Sequence, residues 1–129
     1  MKKSFMLVLL AALLLAGCGK QTGKTQKAAL MNITAEEAKK LMDSESGYVI
    51  LDVRTEQEYA QGHIPGAILI PDYEISEKAE SVLTDKDQLI LVYCRSGRRS
   101  KNAAAQLEEM GYTRIREFGG ILDWPYETE

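Results

Sequence analysis

Along residues 31–129, continuous apolar runs alternate with stretches in which apolar residues recur every three or four positions. Tyr48-Val49-Ile50-Leu51-Asp52-Val53 and Leu89-Ile90-Leu91-Val92-Tyr93 are apolar and rich in β-branched residues, as buried parallel strands are. Ala67-Ile68-Leu69-Ile70, closed by Pro71, and Ile115-Arg116-Glu117-Phe118 read as two further strands. Between them lie helical signals. Thr34-Ala35-Glu36-Glu37 is a capping box opening a helix that carries Ala38, Leu41 and Met42 and ends by Gly47. Thr55-Glu56-Gln57-Glu58 opens a short second helix that stops at Gly62, before the turn His63-Ile64-Pro65-Gly66. A third helix places Ile75, Ala79, Val82 and Leu83 on one face, and a fourth covers residues 101–110 with Gly111 as its left-handed cap. This alternation predicts an α/β domain: a mainly parallel sheet of about four to five strands with helices on both faces. Ligands of such sheets bind beyond the carboxyl ends of the strands.

Residues 1–30 do not share the pattern. Lys2 and Lys3 precede an almost wholly apolar run from Phe5 to Ala16, too short for a stable membrane span and suited to a secretory signal. Leu15-Ala16-Gly17-Cys18 resembles a bacterial lipobox, as opposed to an ordinary signal with a chance cysteine. That resemblance implies a signal peptide over residues 1–17 and a diacylated Cys18, held on the outer face of a membrane. Lys20 to Ala29 is polar and aperiodic, so residues 18–30 read as a lipidated N-terminus and flexible tether to one domain over residues 31–129.

Charge narrows the partners. Without Lys2 and Lys3 the chain has 14 basic residues against 19 acidic, a net charge of about −5. That argues against nucleic acid, which needs basic surface. A single histidine, His63, leaves no histidine cluster for a metal, and its place before a Pro-Gly turn favours a structural hydrogen bond over general-base work. No cofactor is implied. With Cys18 assigned to lipid, Cys94 is the remaining thiol; a Cys18–Cys94 disulfide is the alternative. A monomer is the expected state.

Cys94 carries the candidate chemistry. It ends the residue 89–93 strand and opens Cys94-Arg95-Ser96-Gly97-Arg98-Arg99-Ser100, which feeds the fourth helix. Unpaired amides and the positive end of a helix favour an anion there. Three arginines within five residues add charge that does not titrate, and both effects favour the nucleophilic, ionised thiol. Asp52 and Arg54 end the neighbouring strand, and either act on substrate or brace the fold together with Glu58.

Taken in order, these motifs resemble the rhodanese-like (sulfurtransferase) family in its single-domain form. The matching residues are Asp52-Val53-Arg54 with Glu58 and Tyr59, then Gly62-His63-Ile64-Pro65-Gly66-Ala67 and Ile70-Pro71. They continue through Tyr93 and the segment from Cys94 to Ser100, with Ala103, Leu107, Gly111, Tyr112, Gly119-Gly120 and Trp124. The resemblance implies transfer of sulfane sulfur from a small anionic donor such as thiosulfate, through a Cys94 persulfide, to cyanide or to a thiol on a small molecule or protein. Backbone amides from Arg95 to Ser100 would cup the persulfide, with Gly97 supplying the positive φ. Arg95 and Arg99 are candidates to bind the donor, and Arg98 does so or is solvated. Cysteine phosphatases, and arsenate reduction with them, are the nearest competing chemistry. Those phosphatases place an arginine six positions after the cysteine, where this chain has Ser100. A module that carries sulfur, senses oxidant or docks a partner without turnover is the alternative from another class.

Overall fold

The computed structural model describes residues 28–129, so the signal segment, Cys18 and most of the tether lie outside the described residues. Five strands form one sheet in the order β1-β5-β4-β2-β3, every neighbouring pair parallel. They are β1 (Leu30–Asn32), β2 (Val49–Asp52), β3 (Ile68–Leu69), β4 (Ile90–Cys94) and β5 (Ile115–Gly120). Helices α1 (Ala35–Ser44), α2 (Glu56–Ala60), α3 (Ile75–Val82) and α4 (Arg98–Glu109) connect them.

Strand β4 is central and buried at all five positions, so its side chains alternate between two cores. Ile90, Val92 and Cys94 join α3 and α4 through Ile75, Ala79, Ala103, Ala104 and Leu107. Leu91 and Tyr93 face the other side, with Ala38 and Leu41 of α1, Ile64, Phe118 and Trp124. Cys94 therefore belongs to the layer covered by α4, whose N-terminus follows three residues later. Helices on both faces of a parallel sheet are as the pattern predicts.

Four local details differ from the sequence expectations. Leu30–Asn32 forms an edge strand on β5, although three residues carry no readable period. The Thr34 hydroxyl accepts from the Glu37 amide, but the returning Glu37 bond is not formed, so α1 has half a capping box. Thr55 and Glu58 form the complete one. Val82 ends α3 with 49% of its surface exposed, while Leu83 turns out of the helix and into the core. Most consequential, α4 begins at Arg98, not Lys101, so three of the seven residues of the expected loop form the helix's first turn.

Beneath the carboxyl edge, β2 and β4 are tied by a buried polar network. Asp52 accepts from the Arg54 backbone amide at 2.9 Å, from its guanidinium at 2.7–3.0 Å, and from the Tyr93 hydroxyl at 2.6 Å. Tyr93 Oη in turn accepts from the Ile64 amide, and Arg54 Nη2 donates to the Gly62 carbonyl. Burial, and then Asp52 beside it, push the Tyr93 phenol well up, so it stays protonated as a donor. Asp52 and Arg54 thus brace the fold, paired with each other and the residue 62–64 turn; Glu58, expected among their partners, is engaged elsewhere.

Removing one partner of a buried ion pair strands the other charge. Asp52→Asn is expected to lower unfolding free energy by about 3–5 kcal/mol. Tyr93→Phe, which orphans the Ile64 amide, should cost about 1–3 kcal/mol. Urea unfolding of each variant checks this; losses under 1 kcal/mol for both would contradict the bracing role.

Candidate active site

Cys94 is the last residue of β4, in register with Gly120 of β5 after an irregularity between Val92 and Cys94. Irregular pairing of this kind re-aims a side chain at a strand end. Arg95, Ser96 and Gly97 then turn the chain into α4. Gly97 has φ +103°, which any residue with a Cβ adopts only under strain, and it donates its N–H to Cys94 Sγ at 3.0 Å. The next amides, of Arg98, Arg99 and Ser100, stand in the first helical turn, where no carbonyl within the helix can accept from them. The sulfur therefore sits at the positive end of a twelve-residue helix with one amide already on it.

The turn is pressed onto β5, and only glycine permits the fit. A Cβ at Gly120 would fall inside the Arg95 carbonyl and lie 2.6 Å from Ser96 Cα, all backbone that cannot step aside. The Arg95 carbonyl also accepts from the Leu122 amide. The diglycine of β5 is thus the seat of the cysteine turn.

The residues singled out from sequence take different places. Arg95, Ser96 and Arg98 are exposed on the turn and first helical residue; Gly97 and Ser100 are buried. Cys94 has no exposed surface, yet its sulfur faces the turn: it meets the Gly97 amide and Ser100 Oγ, the latter at 3.3 Å. Among the described residues it is the free cysteine. Arg99 has a partner that the sequence does not name. Its guanidinium makes a two-pronged ion pair with Glu58, at 2.6 and 2.9 Å, so its charge is largely matched before any anion arrives. The pair still lies close enough to Cys94 for the sulfur's charge to act on Arg99. It also joins α2 to the first turn of α4, 41 positions apart. His63 is structural as expected: Nδ1 contacts the Tyr59 carbonyl at 3.0 Å, and the ring stacks on Tyr59.

Two further residues join the site. Glu58 reads from the sequence as a cap and brace, and nothing in its spacing names a partner 41 positions away. Glu117 is 2% exposed, and its carboxylate accepts from Ser100 Oγ at 2.7 Å and from the Gly119 amide at 2.8 Å. A signal for Glu117 did exist. It shares the strand face of Ile115, so an acid stands at an inward position of an apolar period.

These features define a parallel α/β domain whose free cysteine lies in a tight turn at the sheet's carboxyl edge. The rhodanese-like domain family model matches residues 34–126, and the chain belongs to the rhodanese-like family. The thiosulfate sulfurtransferase PspE of Escherichia coli (strain K12) is 42% identical over 73 residues, spanning 57% of this chain and 70% of that protein. The putative sulfur carrier protein YrkF of Bacillus subtilis (strain 168) is 34% identical over 112 residues, 86% of this chain and 60% of that protein. Among solved structures, a rhodanese with anions from E. coli superposes with a TM-score of 0.60 at 38% identity, over 64% of this chain and 96% of that one.

The Arg99 hydrogen bonds, working against burial, hold the Glu58 carboxyl down at about 2 from its ordinary 4.5. A depressed acid stabilises the fold above its unfolded value and loses that contribution as pH falls through the folded one. The Glu58–Arg99 link is therefore expected to hold fully above about pH 5 and to be lost between 4.5 and 2. Urea midpoints measured against pH should fall less steeply across that window in Glu58→Gln than in the parent chain. An identical acid limb in both would contradict the assignment.

Proposed function

We propose that this chain is a thiosulfate-type sulfurtransferase in which Cys94 carries the transferred sulfur. The Cys94 thiolate attacks the outer sulfur of the donor. The donor's S–S bond breaks, and sulfite leaves with the bonding pair. Cys94 then holds an S–S⁻ group, whose outer sulfur is taken by a thiolate or cyanide acceptor, returning the Cys94 thiolate. Covalent catalysis of this kind divides one transfer into two steps. The observation that carries the reading is the Gly97 amide on Sγ at 3.0 Å, followed by first-turn α4 amides that have no acceptor within the helix. Donors aimed at the position where negative charge develops stabilise it without reorganising.

The same geometry supports a narrower set of donor-binding residues. Arg99 is matched by Glu58, so the exposed Arg95 and Arg98 are the cations that draw the anionic donor, and Arg99 holds the α4 turn to α2. A tether through a diacylated Cys18 would keep the domain on the outer face of a membrane, a reading supported by the apolar run before Leu15-Ala16-Gly17-Cys18. A second reading, a sulfur carrier with slow turnover, is favoured by one observation: Cys94 is wholly enclosed.

Intact mass of the full chain, carrying Cys18→Ser so that Cys94 is its one thiol, tests the reaction after incubation with thiosulfate. The expected result is a gain of one sulfur atom, absent when Cys94→Ser is added, with catalytic release of thiocyanate on adding cyanide. A gain without repeated turnover supports the carrier, and no gain rejects both. The anchor is tested separately: Cys18→Ser should move the protein from the membrane fraction to the soluble one. Unchanged fractionation would reject lipidation.

A further inference from the structure

Ser100 Oγ has a single proton and more than one acceptor within reach. It lies 2.7 Å from Glu117 Oε1, 3.0 Å from the Gly97 carbonyl and 3.3 Å from the Gly119 carbonyl. The carboxylate is the closest and, as an anion, the strongest. With its proton committed to Glu117, the hydroxyl offers the sulfur only lone pairs. At 3.3 Å from Cys94 Sγ it can then accept from a thiol but cannot donate to a thiolate. Glu117 adds a negative charge of its own on the same side of the sheet, in a setting with little water to screen it.

We propose that Glu117 is a positioning residue that acts through Ser100 to favour the protonated, resting form of Cys94. This inference rests on Cys94 being the reacting group. Two devices then act on one sulfur in opposition. The Gly97 amide and the α4 terminus favour the thiolate, whereas the Ser100–Glu117 pair holds the proton on the thiol. The other charges around the site are Arg99, Glu58, which matches it, Asp72, whose charge also reaches Arg99, and the exposed Arg95 and Arg98. Among the groups named, Glu117 is the acid joined to the sulfur through one hydroxyl.

The functional consequence is restraint. A lone thiol outside the cytoplasm meets oxidants, which act on the thiolate. A buried acid that keeps the resting sulfur protonated limits that loss.

Thiolate absorbance followed against pH in the full chain carrying Cys18→Ser tests the proposal without requiring sulfur transfer. Glu117→Gln keeps the shape, removes the charge and can donate to Ser100, freeing the hydroxyl to turn toward sulfur. The expected result is about tenfold more thiolate at a given pH below half-titration. Persulfide formation should quicken in parallel, an effect that structural damage does not produce. Glu117→Met, apolar and of similar size, is the second variant should the first misfold, and folding of each is checked by circular dichroism. In a Ser100→Ala background the gain from Glu117→Gln should shrink, because no hydroxyl remains to turn. An unchanged or smaller thiolate fraction in a folded variant, or a gain undiminished without Ser100, overturns the proposal. A thiolate gain in a chain that takes no sulfur from thiosulfate would leave this inference standing and reject the sulfurtransferase reading.

Discussion

The hydrogen bond from the Gly97 amide to Cys94 Sγ is the contact on which the proposed chemistry depends, and much of the fold serves to hold it. For that amide to face the sulfur, the chain must leave β4 and enter α4 within three residues. That turn requires a positive φ at Gly97. It also requires backbone to lie against backbone at Gly120, where a side chain of any size would push Arg95 away. The covering helix, the turn and the diglycine of β5 are thus one device, assembled from segments more than twenty residues apart.

Charge is distributed around this device in layers. Asp52, Arg54 and Tyr93 form a satisfied network under the strand ends, tying β2 to β4. Glu58 and Arg99 form a second link, half-buried, which fixes the first turn of α4 while nearly cancelling its own charge. The exposed Arg95 and Arg98 remain the cations of the cysteine turn that carry no ion-pair partner among the described residues. Glu117 places a buried carboxylate beside Ser100, a feature that a simple anion-binding cradle would not need.

Much of the architecture was legible because the patterns involved are local. The all-apolar β4 announced a central strand, the Thr55–Glu58 box a helix start, and Gly111 a helix end, and each formed at its expected place. The position of Cys94 at a strand's carboxyl end followed from the same periodicity. What escaped was long-range or too short to carry a period. Leu30–Asn32 becomes a strand only because β5 offers an open edge. Arg98 joins α4 because the tight Gly97 turn lets the helix begin at once, whereas propensity alone favours a start at Lys101. Arg99 could be read as a free cation until Glu58 stood beside it. Glu117 broke the inward apolar period of β5 and so could have been found, but its partner Ser100 lies on another element.

The most direct test of the central claim is an amide NMR spectrum of the full chain before and after thiosulfate is added, with Cys94→Ser as control. If the first α4 turn receives the charge carried by sulfur, the amide protons of residues 97–100 move downfield more than any others, and do so only when Cys94 is present. Equal shifts in the Cys94→Ser chain, or shifts that spare those four amides, would contradict the account.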